Sequence, residues 1–334
     1  MKRIAKIFIS IICCMILISS CTDKGTDSPF ADILSQPPYA PLTDSIKKQP
    51  KNDNLYFRRA VLLNTGNLPE PALADFKKAW SLKKEEKYAL GLSNLLLDKN
   101  PDSAIIFLKQ ALNELPNSLL LQLTLARSLT TQEKTDEALK ICDGMLQKNP
   151  EQVDVLKMKA GLLDKKGKNT EAINTLEKAY SLAPFDVELN YMYALKLAET
   201  GNKRVLSLCD SLILADSLEL HAEPYYYKGI YFSNRNEKVK ALSLFDEAIK
   251  HDYYFLDGYI EKGAVYYDLK KFPEALRVFN LALTVSPKFA DGYYWAAKCQ
   301  EAMGNKEEAK ENYLRAYSLD KNLAEAKAAA DKLK

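Results

Sequence analysis

The residues able to do chemistry in this chain are few. Its 334 residues include two histidines, His221 and His251. Neither has a Cys, Asp or Glu partner at the spacing a metal ion requires. No glycine-rich phosphate loop, strained nucleophile turn or paired-histidine helix motif occurs. No catalytic residue, metal site or cofactor is expected, which sets enzyme classes aside. Of the six cysteines, Cys13, Cys14, Cys21, Cys142, Cys209 and Cys299, only Cys21 sits in a chemically marked setting.

That setting is the chain's start. Lys2, Arg3 and Lys6 precede an apolar run from Ile7 to Ile18. The run is shorter than the roughly 20 residues a membrane-spanning helix needs, and it fits a signal-peptide core. Ile18-Ser19-Ser20-Cys21 follows, an aliphatic residue and two small ones before a cysteine. This resembles the lipobox of bacterial lipoproteins. The resemblance implies removal of residues 1–20 and acyl chains, palmitate among them, on Cys21. Several acyl chains make a lasting anchor. Thr22, in place of an aspartate, favours delivery to the outer membrane, facing the periplasm or the cell surface. Residues 21–52, with Pro29, Pro37, Pro38, Pro41 and Pro50 and no sustained helical period, are expected to form an extended tether.

Losing residues 1–20 removes three bases and no acid, so the formal charge falls from +3 to zero. A neutral chain with interspersed charges is no nucleic-acid binder on electrostatic grounds. Cys142 and Cys209 occupy the same slot two repeats apart, too far for a disulfide. They read as small apolar core residues.

What the elements must be is written in a repeat. Ala72, Ala104, Ala138, Ala172, Val205, Ala241, Ala275 and Ala309 follow one another at intervals of 32, 34, 34, 33, 36, 34 and 34. That period belongs to stacked helix-turn-helix units rather than to a closed globule. Tyr293, Ala297, Gly304, Ala309, Tyr313 and Ala316 are matched one period earlier by Tyr259, Gly263, Ala275, Phe279, Ala282 and Pro287. Tyr225, Gly229, Phe232, Ala241, Phe245 and Ala248 match them again. The pattern resembles the tetratricopeptide repeat (TPR): an aromatic at position 4, small residues at 8, 20 and 27, large apolar ones at 11 and 24. Small slots let helices approach, and large residues fill the remaining space. The resemblance implies an all-α, right-handed α-solenoid of about eight repeats over residues 53–323. Residues 324–334 would form a capping helix, with Leu323, Ala326, Ala330 and Leu333 on one face. Gly66, Gly167, Gly201 and Gly304 are read as turn glycines. Repeat 5, carried by Ala194, Val205, Cys209 and Leu212, is the weakest and is the expected site of any bend.

The same resemblance implies that positions 2, 5, 9, 12 and 13 of each first helix face a groove. Tyr191, Tyr226 and Tyr294 at position 5, Tyr267 at position 12 and the adjoining Trp295 are therefore candidate partner contacts. Mutual packing between neighbouring helices is the competing reading. Asp154, Glu188, Glu223, Asp257 and Asp291 recur at position 2. They would form an acidic rail for a basic partner or, as the favoured alternative, cap helix N-termini. The carboxylate clamp of some relatives needs Lys at position 5 and Asn at position 9 of early repeats. Here those positions hold Phe57, Ala89, Leu123 and Lys157, then Val61, Ser93, Arg127 and Gly161, so a chaperone clamp is not expected. The expected function is a membrane-anchored scaffold that binds proteins or peptides in the cell envelope, for assembly, secretion or murein-related complexes. A glycan- or nutrient-binding lipoprotein is the alternative.

Overall fold

The computed structural model describes residues 29–333 apart from 217 and 219. The expected signal peptide and Cys21 lie outside the described residues. Those residues are all-helical. Two short helices come first, α1 (Ala31–Leu34) and α2 (Ala40–Lys48). Eight helix pairs follow: α3 (Asp53–Thr65) with α4 (Pro69–Leu82), α5 (Glu86–Lys99) with α6 (Pro101–Glu114), α7 (Leu119–Thr131) with α8 (Thr135–Lys148), and α9 (Val153–Lys165) with α10 (Asn169–Leu182). Next are α11 (Val187–Glu199) with α12 (Arg204–Ala215), α13 (Glu223–Asn234) with α14 (Lys238–His251), α15 (Leu256–Asp268) with α16 (Phe272–Val285), and α17 (Ala290–Ala302) with α18 (Lys306–Leu319). Last is α19 (Ala324–Lys332). The chain forms two compact units, one through Leu121 and one from Gln122 onward.

The recurring small residue explains the pairing. All eight, from Ala72 to Ala309, have 0% exposure. No side chain larger than valine occupies that slot. A second device is glycine against phenylalanine. A Cβ on Gly229 would fall 2.5 Å from the Phe245 ring, and one on Gly263 2.3 Å from the Phe279 ring. Only glycine lets the two helices close to that distance. Salt bridges then cross between repeats at one register. Lys159 reaches Asp143 at 2.6 Å, Lys228 reaches Asp210 at 2.6 Å, and Lys262 pairs with Asp246.

Each pair reverses direction through a left-handed residue in seven of the eight repeats. These residues are Asn67, Glu133, Gly167, Gly201, Asn236, Lys270 and Gly304. The second pair turns without one, because Asn100 ends α5 and caps α6 at once, its side chain accepting from Ser103 N at 2.9 Å. Gly66, read as a turn glycine, has φ of −80°. It serves a different need: a Cβ there would stand 2.3 Å from the Tyr39 hydroxyl.

That contact belongs to a correction. Residues 29–52 are not an extended tether. α2 begins around Pro41, where a proline fits a helix's first turn. Leu34, Tyr39 and Ile46 are buried, and Leu34 and Tyr39 join Ala60, Leu63 and Phe76 in one core. The proline count hid a short amphipathic helix that closes the first repeat. Packing through repeat 5 is unbroken. α11, α12 and α13 share one continuous apolar core, and the division falls within α7. Repeat 5 is irregular in another way, burying Asn190 Oδ1 and Tyr193 Oη without hydrogen-bond partners. Cys142, Cys209 and Cys299 are buried free thiols, pushed up by burial to about 11, about 12 and about 12. They are inert core residues. At the other end, α19 buries Ala326, Ala330 and Leu333 against Tyr313 and Ala316.

Candidate functional site

The first helices of successive pairs present the candidate residues. α15 and α17 bring three of them together. Tyr267 stands edge-on to Trp295, ring centres 5.8 Å apart, and Trp295 stacks on Phe279 at 5.7 Å and 19°. Tyr294 adjoins Trp295 and leans on Tyr313 at 5.8 Å. Lys298, one helical turn beyond Trp295, places its ammonium 4.1 Å from the Trp295 ring centre, 5.3 Å from Tyr267 and 5.5 Å from Tyr294. Three electron-rich faces thus hold one cation. Sequence reasoning missed Lys298, although its i+3 and i+4 spacing from two groove aromatics is a legible signal.

The remaining tyrosines lie elsewhere. Tyr191 meets His221 and Tyr227 edge-on, each at 6.1 Å. Burial, then the charges of Glu223 and Asp216, lift its hydroxyl to about 12. Tyr226 packs among Tyr227, Phe255 and Phe245 at 5.7, 5.1 and 6.0 Å. It is largely a packing residue. Burial raises its hydroxyl, and the carboxylates of Glu261 and Asp257 add to the rise.

The position-2 acids are in first helical turns but do not serve as N-caps. The cap residues of α9, α13, α15 and α17 are Gln152, Ala222, Phe255 and Phe289, none with a side-chain cap bond. In α11 the cap is Asp186, which accepts from Leu189 N at 3.0 Å, while Glu188 pairs with Lys157. One residue past the cap in α13 and two in α9, α11, α15 and α17, the acids face the helix dipole without closing the cap. Several also face one another. Burial raises the Asp291 carboxyl, and the charges of Asp320, Asp257 and Glu325 raise it further. Glu261, which the sequence did not single out, is raised by burial and then by Asp257 and Asp268, against Lys238. Asp257 on α15, Asp291 on α17 and Glu325 on α19 therefore lie close enough to one another to interact, beside the aromatic cluster. Glu223 lies apart, 3.9 Å from His221.

Among the described residues no group of three or more His, Cys, Asp or Glu is placed to hold a metal ion. No helix among them is long and apolar enough to cross a membrane. A cavity of about 510 Å³ over α7, α9 and α11 is lined by none of the nominated aromatics.

Family models described as "Tetratricopeptide repeat" match residues 95–162, 154–186 and 290–323. The chain carries tetratricopeptide repeats. TPR arrays are protein-binding scaffolds, and two curated relatives match over part of the chain. Over 99 residues, 30% of the chain, it is 30% identical to a UDP-N-acetylglucosamine--peptide N-acetylglucosaminyltransferase of Giardia intestinalis, and it covers 7% of that protein. Over 119 residues, 35% of the chain, it is 29% identical to Heat shock protein STI1 of Saccharomyces cerevisiae, and it covers 20% of that protein. The chain thus spans a small part of either relative. A solved TPR protein from Parabacteroides merdae has the same fold, with a TM-score of 0.60 and 21% identity. The match covers 73% of this chain and 96% of that one.

Proposed function

We propose that the protein is a lipid-anchored TPR scaffold of the bacterial cell envelope that gathers protein partners through basic peptide segments. The reading rests chiefly on the exposed carboxylates of Asp257, Asp291 and Glu325, on α15, α17 and α19, beside the cluster of Tyr267, Tyr294 and Trp295. Lys298 already fills those ring faces, so the cluster offers a partner its apolar ring area, and a partner's lysine or arginine is met by the acids beside it. The neighbouring carboxylates of Asp257, Asp291 and Glu325 would steer such a segment inward. Anchoring through Cys21, in the outer membrane, rests on the lipobox resemblance and the apolar run before it.

A photo-crosslinking amino acid placed at Tyr294 in living cells should trap a defined envelope protein. The same probe at exposed Leu281 should not. Identical adducts from both positions would remove the groove from the reading. Saturable binding of an oligosaccharide, lost on Tyr226→Ala with Tyr294→Ala, would favour glycan capture instead. Separately, Cys21→Ala should release the protein from membranes; retention there would contradict the anchor.

A further inference from the structure

The loops that join one repeat to the next follow a register of their own. Glu151, Phe185, Leu220, Tyr254, Lys288 and Asn322 succeed one another at the repeat interval, and all six are exposed. Three consecutive junctions thus carry a large apolar or aromatic side chain where the junctions on either side carry a polar one. Phe185 is 93% exposed and Tyr254 75%. Leu214, Leu218 and Tyr253, in or next to the same loops, are exposed as well. A single exposed apolar side chain is ordinary, whereas a row of them marks a contact surface.

First helices run one way and second helices run back, so the loops after α10, α12 and α14 lie at one edge of the second unit. The turns at Gly201, Asn236 and Lys270 lie at the other edge, about 20 Å away for helices of 13 residues. α10 to α13 share one core and α13 to α15 the next, so the three loops are neighbours. Each is held by an aspartate turned onto its own backbone. Asp186 accepts from Leu189 N at 3.0 Å, Asp216 from His221 N at 2.8 Å and Asp252 from Tyr254 N at 2.8 Å. The acids are drawn inward, and the apolar side chains stand out as fixed tips. No lysine or arginine occurs in residues 183–186, 216–222 or 252–255.

We infer that this edge rests on a lipid bilayer, with Phe185, Leu218, Leu220 and Tyr254 dipping into the boundary between headgroups and acyl chains. The inference rests on the lipid anchor proposed above. Phe30 and Leu34 already pack on the first repeat, which leaves only residues 22–29 between Cys21 and the fold. A stretch of that length reaches about 30 Å at most. The array is thereby kept beside the membrane, where a high effective concentration favours insertion of even a few side chains. Their chemistry fits the boundary. Tyrosine presents an apolar ring and a wet hydroxyl, and phenylalanine and leucine enter the acyl region. Without lysine or arginine the tips have no attraction to anionic headgroups, so a zwitterionic surface suffices. Contact through this edge leaves the groove positions of the first helices uncovered.

The test uses the full protein, extracted from cell membranes and returned to phosphatidylcholine vesicles whose acyl chains carry a nitroxide quencher. Tyr254→Cys, Phe185→Cys and, on the opposite edge, Lys203→Cys variants each take a polarity-sensitive fluorophore; Cys142, Cys209 and Cys299 are buried and stay unlabelled. Mass spectrometry of the N-terminal peptide reads the acylation of Cys21 separately. Labels at positions 185 and 254 should shift to shorter wavelength and be quenched at least twofold more than the label at 203. Adding Phe185→Asn and Leu220→Asn should bring the label at 254 to the level of the control, with helical circular dichroism and unfolding midpoint unchanged. Equal quenching at all three positions with Cys21 acylated overturns the inference and leaves the anchor standing. An unacylated Cys21 overturns both. A label at 254 that is shielded in cells but not in the vesicles assigns the edge to a protein partner and equally overturns the inference.

Discussion

The Arg59 guanidinium, on α3, grips the Asp75 carboxylate, on α4, with two parallel hydrogen bonds. Nε donates to Oδ2 at 2.6 Å and Nη2 donates to Oδ1 at 2.8 Å, and both side chains are only 7% exposed. The third arm, Nη1, donates to Thr43 Oγ1 at 2.9 Å, and that hydroxyl donates to Leu34 O at 2.7 Å. One buried ion pair thus ties the first repeat to the two helices before it. Removing a single partner strands a buried charge, at a cost of about 3–5 kcal/mol. Arg59→Met or Asp75→Leu alone should lower stability by that amount in urea unfolding. The double substitution should recover most of it, and a double variant as unstable as the singles combined would show that the pair's worth is not electrostatic.

Opposite outcomes are expected from one substitution at two glycines. Gly263→Ala drives a Cβ to 2.3 Å from the Phe279 ring, which is fully buried and cannot swing away. Overpacking of this kind costs about 1–3 kcal/mol. Phe279→Leu in the same chain should restore part of it. Gly161→Ala meets open space and should stabilise α9 by up to about 1 kcal/mol. Thermal unfolding of the two single variants gives the comparison directly.

Lys270 turns between α15 and α16 with φ of 57°. A side chain in that region costs roughly 1–2 kcal/mol, part of which glycine returns as unfolded-state entropy. Lys270→Gly should therefore raise stability by about 1 kcal/mol or less. Gly201→Ala, at φ of 64°, should lower it. Equal midpoints for both variants would mean the turn backbone relaxes freely.

Glu261 titrates above an ordinary glutamate, chiefly through burial and then through Asp257 and Asp268. The folded state accordingly binds a proton before the unfolded state does, and stability must fall as pH rises through the raised value. Ionised at neutral pH, this carboxylate opposes folding, and acidification toward the ordinary glutamate range relieves the opposition. Glu261→Gln should be more stable than the parent at neutral pH. The advantage should shrink as pH is lowered, as unfolding midpoints across pH would register. An advantage that does not vary with pH would show that the change acts through packing.

Much of the fold is legible in residue size and spacing. The interval between Ala72 and Ala309 locates eight helix pairs, because close helix contact tolerates only a small side chain and needs one per repeat. The groove positions are legible for the same reason: once helix register is known, the side chains at 2, 5, 9, 12 and 13 share a face, and most of the residues around Gly161 are at those positions. The choice among them was not legible. Tyrosines drew attention by type, yet Tyr226 is spent on packing with Phe255 and Phe245, and the cavity of about 510 Å³ has no aromatic side chain in its lining.

Periodicity alone determined the helix pairs, the turns between them and the core role of Cys142, Cys209 and Cys299, since each follows from contacts within a repeat or with its neighbour. The tertiary structure decided what depends on residues far apart in sequence meeting. It folded residues 31–48 onto the first repeat through Tyr39, Thr43 and Arg59. It set Lys298 among rings from two helices, and it showed which charges are already paired and which still face open space.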